Sequence, residues 1–199
     1  MSGMSVSAAI MAGGRSRRMG QDKAWIDVGG QPLIARVIEV LATVADEVII
    51  VANEARYGAL GVRVVPDRFP DGGALGGIAT GVGAAAHPTV LVAACDMPFL
   101  DAAVWRLLLG RTGDVDVVIP VVGDQLETMH ALYTKACLPS MERALAEGRM
   151  RVISFFDEVR VLRIGEETIR AADPTLRSFT NVNTPEELAA ALGDAAERA

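Results

Sequence analysis

Short apolar runs alternate with polar, glycine-containing stretches through the first half of the chain. The apolar runs that predict buried strands span residues 6–12, 48–52, 62–65, 89–94 and 117–119. Between them, apolar positions at helical spacing predict a helix after Pro32, a small-residue helix over 74–86, and a helix over 102–109 capped by Asp101. Strands that alternate with helices are typical of α/β proteins. We therefore predict a Rossmann-like three-layer sandwich, a mostly parallel sheet with helices on both faces.

The second half of the chain is less regular. It predicts a strand over 129–133, a helix over 138–147 ended by Gly148, and an edge strand over 159–164. A further short strand is predicted over 24–28, and Thr184 is a good N-cap for a last helix. Neither an internal repeat nor a low-complexity linker divides the sequence, so we expect a single domain over residues 1–199.

Composition narrows the classes of function. The net charge of -6 and the pI near 5.0 argue against a nucleic-acid binder that depends on phosphate contacts. No apolar run is long enough to span a bilayer, and the first five residues lack the features of a signal peptide. Two cysteines imply no disulfide framework. We expect a protein of the cytoplasm with no nucleic-acid or membrane partner, whose apolar fraction of 51% suffices for a sizeable core.

The stretch that follows the first predicted strand carries the strongest chemical signal. Gly13, Gly14 and Gly20 let the backbone approach a ligand closely, and Arg18 and Lys23 can neutralise an anion. The spacing matches neither the Walker A motif nor the dinucleotide fingerprint. Taken alone, the stretch is either a triphosphate-binding loop or an exposed basic loop.

Three later stretches are further candidates. Residues 66–77 combine Asp67 with several glycines and are either a nucleoside-binding loop or a plain surface loop. Asp96 ends the fourth strand before a rigid proline turn, which suits a Mg²⁺ ion held by one carboxylate and substrate phosphates. Asn181 and Asn183 point the same way if the chain is extended, although a turn is the simpler interpretation. His130 and Cys95 are interpreted as structural.

In this order the motifs resemble the signature of molybdenum cofactor guanylyltransferases, the MobA family of the nucleotidyltransferase superfamily. The resemblance rests on residues 12–23, Asp67, residues 73–77, residues 95–98 and residues 181–188, and it spans nearly the whole chain. The opening motif alone is shared with cytidylyl and sugar-phosphate enzymes. Gly13 favours guanine, because cytidylyl relatives tend to carry a second alanine there.

The resemblance implies transfer of GMP from GTP to molybdenum-molybdopterin, with Mg²⁺ as cofactor and release of pyrophosphate. GTP and molybdopterin are then the partners, besides transient contacts with cofactor-biosynthesis proteins or acceptor molybdoenzymes. The implied catalytic residues are Lys23, Arg18 and Asp96, and Asp96 is also the metal ligand. The implied nucleotide-binding residues are Met11, Ala12, Gly13, Gly14, Lys23, Asn53, Asp67, Gly73, Gly77 and Asp96. The implied molybdopterin-side residues are Arg151, Asn181 and Asn183.

Two departures from the family pattern leave alternatives open. Val51 stands where the family often has an asparagine, so either Asn53 takes over that base contact or the contact is absent. Residues 127–133, ETMHALY, replace the usual QPLHALY and put the acceptor in doubt. The alternatives are a molybdopterin cytidylyltransferase, a sugar-phosphate nucleotidyltransferase, and a nucleotide-binding regulatory domain without turnover. Retention of both Lys23 and Asp96 argues against the last.

Overall fold

The computed structural model describes residues 4–12, 23–182, 184 and 186–190. The strands are β1 Val6–Met11, β2 Glu47–Val51, β3 Arg63–Val65, β4 Thr89–Ala94, β5 Val117–Val122, β6 Gln125–Leu126, β7 His130–Thr134 and β8 Val161–Gly165. The helices are α1 Leu33–Ala42, α2 Gly73–Ala84, α3 Ala102–Leu109, α4 Leu138–Ala146 and α5 Glu166–Arg170. Short 3-10 helices include Lys23–Trp25, Ala55–Leu60 and Val152–Glu158.

The described strands form one eight-stranded sheet of order β3-β2-β1-β4-β7-β5-β6, with β8 beside β5. Strands β1 to β4 pair in parallel, and β8 pairs in parallel with β5. Strand β7 runs antiparallel between β4 and β5, and β6 pairs antiparallel with β5. Because β7 reverses direction between them, β5 and β8 point the same way as β1 and β4.

Helices cover both faces of the sheet and bury two apolar layers. One layer joins Ile34, Val37 and Leu41 of α1 with Trp105 of α3 and Ile169 of α5. The other joins Leu75, Ile78 and Val82 of α2 with Met141 and Leu145 of α4. In β1, Ala8 and Ile10 lie in the first layer and Ala9 lies in the second, as the alternation of a strand requires. The predicted three-layer sandwich is confirmed.

Most predicted elements are found within a few residues of their expected bounds. Asp101 caps α3, since its Oδ1 accepts a hydrogen bond from the Ala103 N–H at 2.7 Å. Thr184 Oγ1 accepts from the Glu187 N–H at 3.1 Å, and residues 186–190 are helical. Gly148 has a φ of 75° and follows α4. None of the helices in the described ranges has the length and apolar character needed to cross a bilayer.

The predicted strand over 24–28 is wrong. Lys23–Trp25 is a 3-10 helix, and Asp27 forms only an isolated bridge with Pro32. Gly29 and Gly30, with φ of 67° and 92°, close a tight turn in which Asp27 Oδ1 accepts from the Gly30 N–H. This turn leaves too few residues for a strand to pair with the sheet.

Candidate active site

The carboxyl ends of the first four strands meet at one edge of the sheet. Main-chain hydrogen bonds continue past the strand ends: Ala12 N–H to the Val51 carbonyl at 3.0 Å, and Ala52 N–H to the Val65 carbonyl at 3.0 Å. Cys95 N–H likewise donates to the Met11 carbonyl at 3.2 Å. The stretches predicted to carry chemistry after residues 12, 65 and 94 therefore begin along the same edge, where α/β proteins bind ligands.

Lys23 and Asp96 face each other across this edge. Lys23 Nζ lies 3.4 Å from Asp96 Oδ2, and the two side chains are 25% and 20% exposed. Such a partly exposed pair contributes about 0–1 kcal/mol to stability, so an incoming ligand can separate it at little cost. The position of a cation and a carboxylate at one mouth is therefore better suited to ligand binding than to holding the fold together.

Asp96 suits a metal that arrives with its substrate. In the part of the chain that the structure describes, no three side chains of His, Cys, Asp or Glu are grouped closely enough to hold an ion. A resident all-protein site for a divalent cation needs several such oxygens, whereas Mg²⁺ bound with nucleotide phosphates needs one or two carboxylates. The donor set around Asp96 fits the second kind of site.

Asp67 and Asn53 lie together one strand further along the edge. The Asn53 side-chain oxygen accepts a hydrogen bond from the Asp67 N–H at 2.9 Å. Oδ1 of Asp67 in turn accepts from the Phe69 N–H at 2.9 Å and lies 3.0 Å from the Thr80 hydroxyl. Asn53 is exposed at the end of β2, while the side chain of Val51 is buried within that strand. Asn53 therefore presents a side-chain amide at this edge, whereas Val51 is buried and has no such group.

Thr80 is a site residue that the sequence reasoning missed. It is buried in α2, where its oxygen accepts from the Arg68 N–H at 3.0 Å and can donate either to Asp67 or to the Gly76 carbonyl. Thr80 thus holds the loop that begins at Asp67 against the helix. No pattern singled it out, because a threonine among the small residues of a helix is equally consistent with simple packing.

The glycines after Asp67 have different structural reasons. A Cβ at Gly76 would lie 2.5 Å from the Phe69 carbonyl oxygen, and one at Gly77 would lie 3.3 Å from Met11 Sδ. Gly73 has a φ of 58° and open space around it at the start of α2. Gly77 and Met11 are therefore in contact through packing, while Gly73 presents bare backbone to solvent at the amino end of the helix.

The candidate residues on the acceptor side occupy exposed positions. Asn181 is exposed, and the N–H of the next residue, Val182, donates to the Asp96 carbonyl at 2.9 Å. Arg151 is exposed directly before the 3-10 helix Val152–Glu158. A Cβ built at Gly72 would lie 2.8 Å from Leu145, so the end of α4 that leads to Arg151 meets the start of α2. The structure thus bonds the residue after Asn181 to the Asp96 loop, and it packs α4, which precedes Arg151 in the chain, against α2.

Four predicted residues, namely Gly13, Gly14, Arg18 and Asn183, lie outside the described residues.

Residues 127–133 are the stretch that differs from the family pattern. Within it, burial raises the pKa of Glu127. His130 is fully buried between the rings of Trp105 and Phe179, at centroid distances of 4.2 and 4.5 Å. Burial lowers the pKa of His130 to about 3, against weaker opposing effects of Ser178 and Asp173. A neutral histidine packed in this way has a structural role, as predicted.

Comparison with known families agrees with this geometry. The family model of the MobA-like NTP transferase domain matches residues 8–161, which include Lys23, Asp67 and Asp96. The chain belongs to this family. The family resemblance drawn from the motifs is thereby confirmed, and the MobA-like protein is a nucleotidyltransferase.

Relatives match the MobA-like chain over nearly its whole length. A probable molybdenum cofactor guanylyltransferase of Pelotomaculum thermopropionicum is 41% identical over 93% of this chain and 91% of its own. A molybdenum cofactor guanylyltransferase of Desulfosudis oleivorans is 39% identical, with 92% of each chain covered. The crystal structure of molybdopterin-guanine dinucleotide biosynthesis protein A from Archaeoglobus fulgidus superposes with a TM-score of 0.80 at 26% identity, covering 96% of this chain and 99% of the other.

Proposed function

We propose that the protein transfers GMP from GTP to molybdenum-molybdopterin. An oxygen of the acceptor's terminal phosphate attacks the α-phosphorus of GTP, the bond from the α-phosphorus to the bridging oxygen breaks, and pyrophosphate leaves with that oxygen. The products are the molybdopterin guanine dinucleotide cofactor and pyrophosphate. The relatives named as molybdenum cofactor guanylyltransferases, at 41% and 39% identity, support this assignment.

The observation that carries the proposal is the distance of 3.4 Å between Lys23 Nζ and Asp96 Oδ2. Transfer of a nucleotidyl group needs little covalent help from the protein, but it needs charge neutralisation and an aligned acceptor. In the proposed site Lys23 and Arg18 bind oxygens of the GTP phosphates, and Asp96 holds Mg²⁺. When bound, Mg²⁺ would offset the negative charge on the α-phosphate and on the leaving pyrophosphate.

The other candidate residues are divided between the two substrates. We assign GTP to the amino-terminal half of a single domain over residues 1–199, and molybdopterin to the carboxyl-terminal half. The nucleotide-binding set is Met11, Ala12, Gly13, Gly14, Asn53, Asp67, Gly73 and Gly77, and the molybdopterin set is Arg151, Asn181 and Asn183. The hydrogen bond from Asp67 N–H to Asn53 supports a shared nucleoside contact. Transient protein contacts and a cytoplasmic location stay predictions from the sequence.

The test is release of pyrophosphate from GTP in the presence of molybdopterin and Mg²⁺. Removal of a group that stabilises transition-state charge costs on the order of a hundred- to a thousand-fold in rate, so Asp96→Ala is expected to lose about that much. Asp101→Asn is the matched control, because asparagine caps a helix as well as aspartate does and the rate should not change. Equal rates for the wild type and Asp96→Ala would remove Asp96 from the mechanism.

The base is tested separately by thermal shift with GTP and with CTP, each with Mg²⁺. Larger stabilisation by GTP at the same concentration is expected if the guanine assignment is correct, because the stabilisation by a ligand grows with the logarithm of its concentration divided by its Kd. Larger stabilisation by CTP would favour the cytidylyl alternative. Binding of GTP without any release of pyrophosphate would favour the regulatory alternative.

A further inference from the structure

Residues 173–182, here called the strap segment, run from α5 to the loop that carries Asp96. The segment ends at Val182, whose N–H donates to the Asp96 carbonyl at 2.9 Å. Two further main-chain bonds hold the strand end before that loop: Ala94 N–H to the Met129 carbonyl at 3.1 Å, and Cys95 N–H to the Met11 carbonyl at 3.2 Å. The loop is therefore fastened to the sheet up to Cys95, and to the strap segment at Asp96 itself.

The strap segment has a defined conformation of its own. The buried carboxylate of Asp173 accepts from the Ser178 N–H at 2.8 Å and from the Thr175 hydroxyl at 3.0 Å. Burial raises the pKa of Asp173, but the hydrogen bonds of Ser178 and Thr175 outweigh it, and the net effect is a lowered pKa. Leu176 has a φ of 57°, a left-handed conformation that a leucine adopts only when its surroundings impose it. The contacts around Asp173 thus fix where the residues after Leu176 point.

Two side chains of the strap segment reach the Asp96 region. The Arg177 guanidinium lies 4.1 Å from the ring centroid of Phe99, three residues beyond Asp96. The Phe179 ring stacks on His130, whose strand pairs with β4 opposite Ala93. Arg177 and Phe99 are both half-buried and border an open cavity of about 440 Å³. Shortening Arg177 therefore extends an existing cavity and leaves no closed void in the core.

We infer that Arg177, stacked on Phe99, is a positioning residue that sets the orientation of the Asp96 carboxylate toward the metal. This inference rests on the proposed function, in which Asp96 holds Mg²⁺. Arg177 acts through the loop: the stack fixes Phe99 on one side of Asp96, and the Val182 N–H fixes the Asp96 carbonyl on the other. A planar guanidinium over an aromatic ring is a directional contact, so it constrains the loop more tightly than apolar packing alone.

The expected effect is a loss of metal affinity. Residues that orient a metal ligand from behind typically change metal affinity about ten- to a hundred-fold when they are removed. We expect Arg177→Ala to weaken binding of Mn²⁺, used as a paramagnetic probe in the presence of GTP, by about that factor. The concentration of Mg²⁺ that gives half the maximal rate should rise in parallel, while binding of GTP measured without metal should change little.

The experiment measures free Mn²⁺ by electron paramagnetic resonance during titration of the full chain with GTP present. Phe99→Leu tests the same contact from the other side and should lose a similar factor. The double variant should lose no more than either single variant, because both remove one interaction. Arg177→Lys keeps the cation and should recover part of the affinity. Arg163→Ala, an exposed arginine on β8, is the matched control and should bind Mn²⁺ like the wild type.

The outcomes distinguish failure of this inference from failure of the proposed function. If Asp96→Asn abolishes binding of Mn²⁺ but both Arg177→Ala and Phe99→Leu bind it like the wild type, Arg177 has no positioning role and the proposed function stands. If binding by the wild type does not depend on Asp96, the metal role of Asp96 fails and the inference fails with it. The melting temperature of each variant shows whether it is folded. If either Arg177→Ala or Phe99→Leu is unfolded, the other of these two variants tests the contact.

Discussion

Acidification should destabilise the protein through His130. The imidazole is fully buried between Trp105 and Phe179, and the nearby Ser178 backbone favours its charged form less than burial disfavours it. Burial lowers its pKa to about 3, well below the value of about 6.5 expected in the unfolded chain. Between these two values the unfolded chain binds a proton at this position and the folded protein does not.

The sign and size of the effect follow from this difference. Above about pH 7.5 the histidine is neutral in both states and contributes almost no dependence on pH. As the pH falls below that value, protonation of this histidine stabilises the unfolded chain but not the folded protein, so the free energy of unfolding decreases. From about pH 7.5 to about pH 5 the decrease is about 2 kcal/mol for one group with these two pKa values.

The assay is urea unfolding at these two pH values, followed by circular dichroism. Tryptophan fluorescence is unsuitable because Trp105 touches His130 and would respond to the substitution itself. In His130→Phe an aromatic ring still fills the space between Trp105 and Phe179. The free energy of unfolding of this variant should therefore fall by about 2 kcal/mol less than that of the wild type over the same pH interval. Carboxylates with lowered pKa, such as those of Glu47 and Asp116, are present in both proteins and cancel in the comparison.

A substitution at the surface supplies the control. Gly58→Ala, with open space around Gly58, should keep the difference between the two pH values seen in the wild type. If the wild type and His130→Phe lose the same free energy of unfolding on acidification, the imidazole is solvated or paired in solution, and the reasoning from burial is wrong.

Two further predictions concern α2. Gly76→Ala should lower the free energy of unfolding by about 1–3 kcal/mol, because the added methyl group would meet the Phe69 carbonyl at 2.5 Å. Gly58→Ala, with open space around Gly58, should change the free energy of unfolding by less than about 0.5 kcal/mol. Urea unfolding of the two variants checks this, and equal stabilities would contradict it. Thr80→Val should raise the KM for GTP more than it lowers kcat, because Asp67 loses a hydrogen-bond partner while Lys23 and Asp96 are untouched. Thr80→Ser keeps the hydroxyl and should restore the wild-type KM. Steady-state release of pyrophosphate measures KM and kcat, and an unchanged KM in Thr80→Val would show that Thr80 does not set the position of Asp67.

The sheet could be predicted from the sequence because its central strands are buried on both faces. A strand of this kind is a continuous apolar run, and β1, β2 and β4 show that pattern. The stretch over 24–28 is apolar for another reason. Ile26 and Val28 pack with Leu33, Val182 and Leu188 in a small separate cluster, and a run of five residues does not reveal which kind of core it enters.

The candidate site could be predicted only as far as the ends of the strands. Because β1 and β4 are neighbouring parallel strands, the stretches that follow them begin side by side once the strands are recognised, and Asp96 lies close to the end of β4. The contact of Lys23 with Asp96 does not follow from the strand order alone, because Lys23 lies twelve positions after Met11. Thr80 and Arg177 act through contacts between residues distant in sequence. The hydroxyl of Thr80 meets Asp67 thirteen positions away, and Arg177 reaches Phe99 from the far end of the chain. No local pattern encodes such pairs.

The glycines of α2 show how packing and ligand chemistry share one sequence signal. A Cβ at Gly81 would lie 2.9 Å from Ala9 and 3.0 Å from Met11, so the absence of side chains lets the helix approach β1 closely. Thr80 lies beside Gly81 in the helix and holds Asp67, and the separation of helix and strand therefore decides where that carboxylate lies along the sheet edge. Of the residues in this glycine run, Gly73 has both open space and a left-handed φ, which makes it the better candidate for direct contact with a nucleotide than Gly76. The run thus acts mainly by placing the helix, and its effect on the site is transmitted through Thr80 and Asp67.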